Sequence, residues 1–177
     1  MTDESLLINR ILDGDHKAFK VLYERHVDSL FRFLSQFSRD HYEVEDWVQR
    51  TFINAYESLG RFAGRSRFST WLFTIGLNQM RSDRRRNVVP TLDPLSLHEY
   101  KTDDPVDRFE WNDMMRGWLD ELDEHHRMVF VLYEVEGFSH SEIASILQFG
   151  ESTSRTILSR TKNRLRERWE QERRAAG

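Results

Sequence analysis

Gly137-Phe138-Ser139-His140-Ser141-Glu142-Ile143-Ala144-Ser145-Ile146-Leu147, a break at Phe149-Gly150-Glu151-Ser152, and a basic run from about Thr153 to Trp169 together decide the reading of the chain. Ser139 and Glu142 have the Ser-x-x-Glu spacing of a capping box, in which each side chain meets a backbone N–H left open at a helix start. Ile143, Ala144, Ile146 and Leu147 give that helix an apolar face. In the second helix Ile157, Leu158, Thr161, Leu165 and Trp169 form the expected buried stripe. Arg155, Arg160, Lys162, Arg164, Arg166 and Arg168 supply cations. A short helix, a turn and a cationic helix are the parts that read a DNA major groove. Two solvated amphipathic helices would share the periodicity, but they would not need positive charge gathered on one of them.

Bulk charge conceals this pattern. The formal net charge is -4. Residues 1–60 hold 7 basic and 11 acidic side chains, and 61–87 hold 7 and 1; residues 88–112 hold 2 and 6, 113–151 hold 2 and 9, and 152–177 hold 8 and 3. Two cationic segments are thus embedded in an acidic chain. A distant acidic surface is largely screened at cellular salt, so the local fields govern phosphate binding. The acidic remainder fits a protein partner with basic binding surfaces.

Upstream, the periodicity is helical throughout. Leu6, Leu7, Ile8, Ile11 and Leu12 make a first helix ending at Gly14, and Asp15 caps a second. There Ala18, Phe19, Leu22, Tyr23, His26, Leu30, Phe33, Leu34 and Phe37 form a stripe read as core. Asp40 or His41 starts a third helix with Val44, Trp47, Val48, Phe52, Ala55 and Tyr56 inward. Glu45, Asp46 and Gln49 bunch on its outer side, as a solvated face or an acidic docking patch, and Thr51 beside them is a candidate for phosphorylation. Ser66 or Ser69 caps a fourth helix through Trp71, Phe73, Leu77 and Met80. Trp111, Met114, Met115, Trp118 and Leu119 suggest a helix after residue 110. Met128, Val129, Leu132, Tyr133 and Val135 line the next, with Arg127, Glu134 and Glu136 facing out and Gly137 closing it.

The expected fold is all-α: two small helical domains, 1–87 and 113–177, joined by an acidic linker at 88–112 that holds all 3 prolines. Domains this small bury little surface alone. The absence of cysteine removes disulfides and thiolate chemistry and fits a reducing compartment. No apolar run reaches signal or membrane-span length, so a cytoplasmic protein without membrane insertion is expected.

Between the third and fourth helices lies Arg61-Phe62-Ala63-Gly64-Arg65-Ser66-Arg67-Phe68, and the fourth helix runs into Arg84-Arg85-Arg86. Arginines beside aromatic rings suit a single nucleic-acid strand: cations hold the backbone and rings stack on bases. For Trp71 and Phe73, burial of at least one is the simpler expectation.

Five stretches resemble the extracytoplasmic-function (group IV) sigma factors of the sigma-70 family. Gly14 to Tyr23 resembles the family's opening GD-x-x-AF-x-x-LY, and Val44 to Phe52 its AED-x-x-Q-x-x-F segment. Phe68-Ser69-Thr70-Trp71-Leu72 resembles F-x-T-W-L. Asn78 through Arg86 resembles the segment that contacts the -10 region beside it, and Gly137 to Leu165 resembles the helix-turn-helix that reads the -35 element. The resemblance spans about residue 12 to residue 170. It implies a sigma-2-like domain, a linker and a sigma-4-like domain, serving a factor that directs core RNA polymerase to promoters. Glu45, Asp46 and Gln49 would bind core polymerase, through its beta and beta' subunits. Arg61, Phe62, Arg65, Arg67, Phe68, Trp71, Asn78, Arg81, Arg84 and Arg85 would hold the melted -10 element. Ser152, Thr153, Arg155, Thr156, Ser159, Arg160 and Lys162 would read duplex -35 DNA. It further implies an anti-sigma partner, with no cofactor, no metal and no catalysis. The chain departs from the family pattern at Val44, Arg50, Leu77, Ser154 and Ile157; Arg50 stands where an acid is common and Leu77 where arginine is usual.

Three other readings compete. An autonomous helix-turn-helix regulator would bind duplex DNA tightly without polymerase. An enzyme would need chemistry that His125-His126 and His140 do not supply, because no His-Glu-x-x-His or glycine-rich phosphate loop is present. An adaptor or inactive decoy would bind partners without supporting transcription.

Overall fold

A computed structural model of the chain describes residues 3–87 and 113–175. The expected linker and Trp111 lie outside the described residues, as do the side chains of Met114 and Met115. The chain divides into two compact units, Met1–Tyr100 and Lys101–Gly177. Every regular element among the described residues is helical.

The first unit contains α1 (Asp3–Leu12), α2 (His16–Leu34), α3 (His41–Ser58) and α4 (Phe68–Asn87), with a 3-10 turn at Leu59–Arg61. Asp15 caps α2 by accepting from the Lys17 N–H, and Asp40 caps α3 by accepting from Tyr42 and Glu43. Each cap satisfies donors that a helix start leaves open. Leu22, Leu30, Phe33, Trp47, Phe52, Leu72, Phe73 and Leu77 form the core. Gly76 lets α4 approach its neighbours: a Cβ there would lie 3.0 Å from Leu30 Cδ1 and 3.4 Å from Thr51 Oγ1.

Three expectations change here. The second helix ends at Leu34, short of Phe37, where Ser35 closes it by bonding back to the Phe31 carbonyl. Phe37 stays buried in the turn, edge-on to Phe33. Neither Ser66 nor Ser69 caps α4. The Arg67 carbonyl accepts the first helical bond, from Trp71 N–H at 3.2 Å, so Ser69 falls inside the first turn, and its buried hydroxyl has no protein partner. Tyr56, expected inward, is 39% exposed.

The second unit contains α5 (Asp113–Asp120), α6 (Glu124–Phe130), a π-helical turn at Val131–Val135, α7 (His140–Leu147) and α8 (Glu151–Ala175). Both α6 and α7 pack on α8. Leu119, Met128, Val129, Val131, Leu132, Phe138, Ile143 and Ile146 close the core, and Gly137 turns the chain at φ +71°. Arg127 does not face out: its guanidinium donates to the Asp120 and Leu122 carbonyls and braces the α5–α6 connection. The buried stripe of α8 is also shifted. Ser154, Leu158 and Thr161 are buried, Ile157 and Leu165 are half-buried, and Trp169 is 46% exposed. Positions i, i+4 and i+7 share one helix face, and Trp169, further along α8, meets Trp118 edge-on with ring centroids 6.2 Å apart.

Candidate nucleic-acid interface

The capping box forms at the start of α7: Ser139 N–H donates to Glu142, and Glu142 N–H donates to the Ser139 hydroxyl. Gln148 turns the chain in a left-handed conformation at φ +59°, and α8 begins at Glu151, two residues ahead of the expected Thr153. The break is therefore Gln148 to Gly150. Ser152, Thr153, Arg155, Thr156, Ser159, Arg160 and Lys162 are all exposed. Three already hold local partners. Arg155 pairs with Glu151, Thr156 donates to the Ser152 carbonyl, and Lys162 lies 2.8 Å from Glu134. Exposed pairs of this kind contribute little, so exchanging them for phosphates costs little.

Ser154, one of the departures from the family pattern, is buried and lies 2.9 Å from His140 Nδ1, and the His140 ring stacks on Tyr133 at 4.6 Å. A polar bond thus joins α7 to α8. Burial, with help from nearby Arg155, pushes the His140 pKa below the usual histidine value, and Glu151 opposes the shift. The folded unit therefore favours the neutral ring, and the unfolded chain binds more protons as pH falls. Stability is fully present above the unfolded-state pKa and is lost as pH drops through it toward the lower folded value. His140→Gln is expected to flatten the fall in thermal midpoint between about pH 7.5 and 5.5, which brackets the ordinary histidine range. Equal slopes in the two proteins would remove His140 from the effect.

In the first unit Phe62, Phe68 and Trp71 pack together at 5.1 to 6.0 Å. Phe68 is only 2% exposed and forms the base of the cluster, so its ring is not presented for stacking as expected; Phe62 and Trp71 are half-buried. Behind Phe68 lies His26, itself buried, with Nε2 2.8 Å from Glu4. The sequence signal for this support was slight: His26 reads simply as one more member of the α2 stripe. Arg61, Arg65, Arg67, Asn78 and Arg85 are exposed and Arg81 is half-buried. Arg84 turns inward instead. Its guanidinium donates to the Phe37 carbonyl and lies over the Phe37 ring, tying α4 to the α2–α3 turn. Leu77 is core, which gives the departure from arginine a packing role.

On α3, Glu45 meets His41 at 3.1 Å, Asp46 pairs with Arg50 at 3.0 Å, and Gln49 is exposed. Thr51 is fully buried and its hydroxyl donates to the Trp47 carbonyl, so it is not an accessible phosphorylation site in the folded unit. Beside Gln49 opens an apolar groove of about 350 Å³ lined by Phe19, Tyr23, Phe52, Ile53 and Tyr56. The aromatic stripe of α2 is therefore only partly core: Tyr23 is 37% exposed, and Ile53 across the groove is 55% exposed. Among the described residues no helix is long and apolar enough to cross a membrane.

The chain has clear relatives. The family described as Sigma-70 region 2 matches residues 22–88, and Sigma-70, region 4 matches residues 114–165. The chain is 28% identical over 176 residues to the ECF RNA polymerase sigma-E factors of Salmonella typhimurium and Escherichia coli, covering 92% of this chain and 91% of each relative. It is 28% identical over 170 residues to the RNA polymerase sigma-H factor of Pseudomonas aeruginosa, covering 88% of each. Among solved structures it resembles CnrH in complex with the cytosolic domain of CnrY, with a TM-score of 0.70 and 25% identity over 93% of this chain and 96% of that one. It also resembles the sigma factor RpoE in complex with the anti-sigma factor NepR from Bartonella quintana, with a TM-score of 0.66 and 27% identity over 85% and 96%.

Proposed function

The chain belongs to the sigma-70 family, in its extracytoplasmic-function group, and from that premise we infer how its two units divide promoter recognition. It is an RNA polymerase sigma factor: it directs core polymerase to promoters and catalyses nothing itself. The observation that carries this is the pair of matched regions in one chain, in order, within relatives aligned over nearly their whole length. In the reading proposed here α8 enters the major groove of the -35 element. Arg155, Ser159 and Arg160 reach base edges and phosphates there, with Ser152, Thr153, Thr156 and Lys162 around them. Phe62 and Trp71 take bases of the melted -10 strand over the buried Phe68. Arg61, Arg65 and Arg67 hold its backbone, with Asn78, Arg81 and Arg85 alongside on α4. Arg84 acts from within, by fixing α4. Capturing unstacked bases offsets a cost of a few kcal/mol.

Glu45, Asp46 and Gln49 with the adjoining apolar groove form the polymerase-docking face. CnrH and RpoE were each solved with a bound partner, the latter an anti-sigma factor. An equivalent partner is proposed for this chain. It would cover the groove and Asp46 and compete with core polymerase, because an apolar patch of this kind favours being covered.

Purified core polymerase plus this chain, supplied with a genomic promoter library, is expected to give discrete run-off transcripts that core alone does not. Tight binding to duplex DNA without binding to core would instead favour an autonomous regulator.

A further inference from the structure

Arg50 lies one turn beyond Asp46 on α3, and its guanidinium is divided between carboxylates on two helices. Nη2 lies 3.0 Å from Asp46 Oδ2, and Nη1 lies 3.5 Å from Asp83 Oδ2. The two acids differ in setting. The Asp46 side chain is 46% exposed on the docking face; that of Asp83 is 12% exposed on α4, the helix that carries Asn78, Arg81 and Arg85. Gln79 donates to the same Asp83 oxygen at 3.0 Å, and Asn54 of α3 donates to Gln79 at 3.2 Å. Arg86 lies 3.6 Å from the other Asp83 oxygen and is largely exposed. A polar lattice therefore joins the proposed docking helix to the proposed DNA-facing helix, and Arg50 is its branch point. A largely buried carboxylate loses heavily when its cation leaves, whereas an exposed one is rehydrated.

We propose that Arg50 tunes polymerase docking: it masks Asp46 in the free protein, and Asp83 draws it away when a cationic side chain of the polymerase takes Asp46. The inference rests on the docking role of α3 proposed above. Two consequences follow from the geometry. Affinity for core depends on Asp83, a largely buried residue on the neighbouring helix. Docking also strengthens the α3–α4 pairing beneath the helix assigned to the -10 strand, which links the two binding events. An acid at position 50 would do neither.

The test uses the full chain and core RNA polymerase, with equilibrium affinity and thermal melting recorded for each variant. Arg50→Gln is expected to raise affinity for core about two- to fivefold, the worth of one exposed ion pair. Asp83→Asn is expected to lower it by a similar factor, because Arg50 then stays on Asp46. In the Arg50→Gln background the Asp83 substitution should leave core affinity at the Arg50→Gln value, since no guanidinium remains to redistribute. Asp83→Asn reducing affinity equally in both backgrounds would mean that it acts through the fold, and would overturn the proposal. So would Arg50→Gln failing to raise affinity. Asp46→Ala separates the two ideas: unchanged core affinity there sinks the docking role itself, whereas a loss there with the wrong signs at Arg50 and Asp83 sinks only the masking.

Discussion

Replacing both Arg155 and Arg160 with alanine is expected to cut transcription from a fully duplex promoter by roughly ten- to a hundredfold, while a template with a pre-melted -10 region loses much less. The size is that of one well-placed arginine contact to a base edge, roughly 1–3 kcal/mol, with the second arginine counted as a phosphate contact. The asymmetry follows from where the side chains sit. Both are exposed on α8, and neither belongs to the buried face formed by Ser154, Leu158 and Thr161. Losing the Arg155–Glu151 pair should move stability by no more than about 0.5 kcal/mol. A fall in activity with an unchanged melting curve would therefore report recognition. Any lost phosphate contacts should also reduce the salt dependence of holoenzyme binding. Matched run-off assays on duplex and bubble templates measure the effect, and equal losses on both would abolish the division of labour between the units.

The parts of the fold legible in the sequence were those set by short-range rules. Asp15, Asp40 and the Ser139–Glu142 box cap the helices expected of them because capping depends on a few adjacent residues. The sites were read less fully because exposure depends on what crosses each helix. Phe68 and Trp71 are three residues apart and both aromatic, yet Phe68 packs against His26 and is buried whereas Trp71 is half-buried. Arg84 sits in a run of three arginines, and it is the one that reaches the Phe37 carbonyl and ring, a placement the run itself does not signal. Phe19 and Tyr23 follow the core period of α2, but α3 leaves their side of the groove open. Arg50 stood out in sequence as a cation within an acidic patch. Its second partner, Asp83, is 33 residues away and had no local signal.

Trp71→Ala and Phe68→Ala should both weaken promoter opening, for different physical reasons. Trp71 is half-buried and, with Phe62, forms the outer part of the aromatic cluster. Losing a stacking ring costs about 1–3 kcal/mol per base. At saturating factor, permanganate reactivity of unpaired thymines in the -10 region should therefore drop about five- to a hundredfold in Trp71→Ala, with the first unit still folded. Phe68 is the buried base, and truncating a buried phenylalanine costs about 3–5 kcal/mol. Against a domain stability of about 5–15 kcal/mol, that should lower the thermal midpoint sharply and make opening depend on temperature. Phe68→Leu restores much of the buried volume without an aromatic face. It should recover both stability and opening if Phe68 only supports, whereas Trp71→Leu should recover stability alone. Recovery of opening by Trp71→Leu, or a stable Phe68→Leu protein that still cannot open the promoter, would reverse the roles of the two rings.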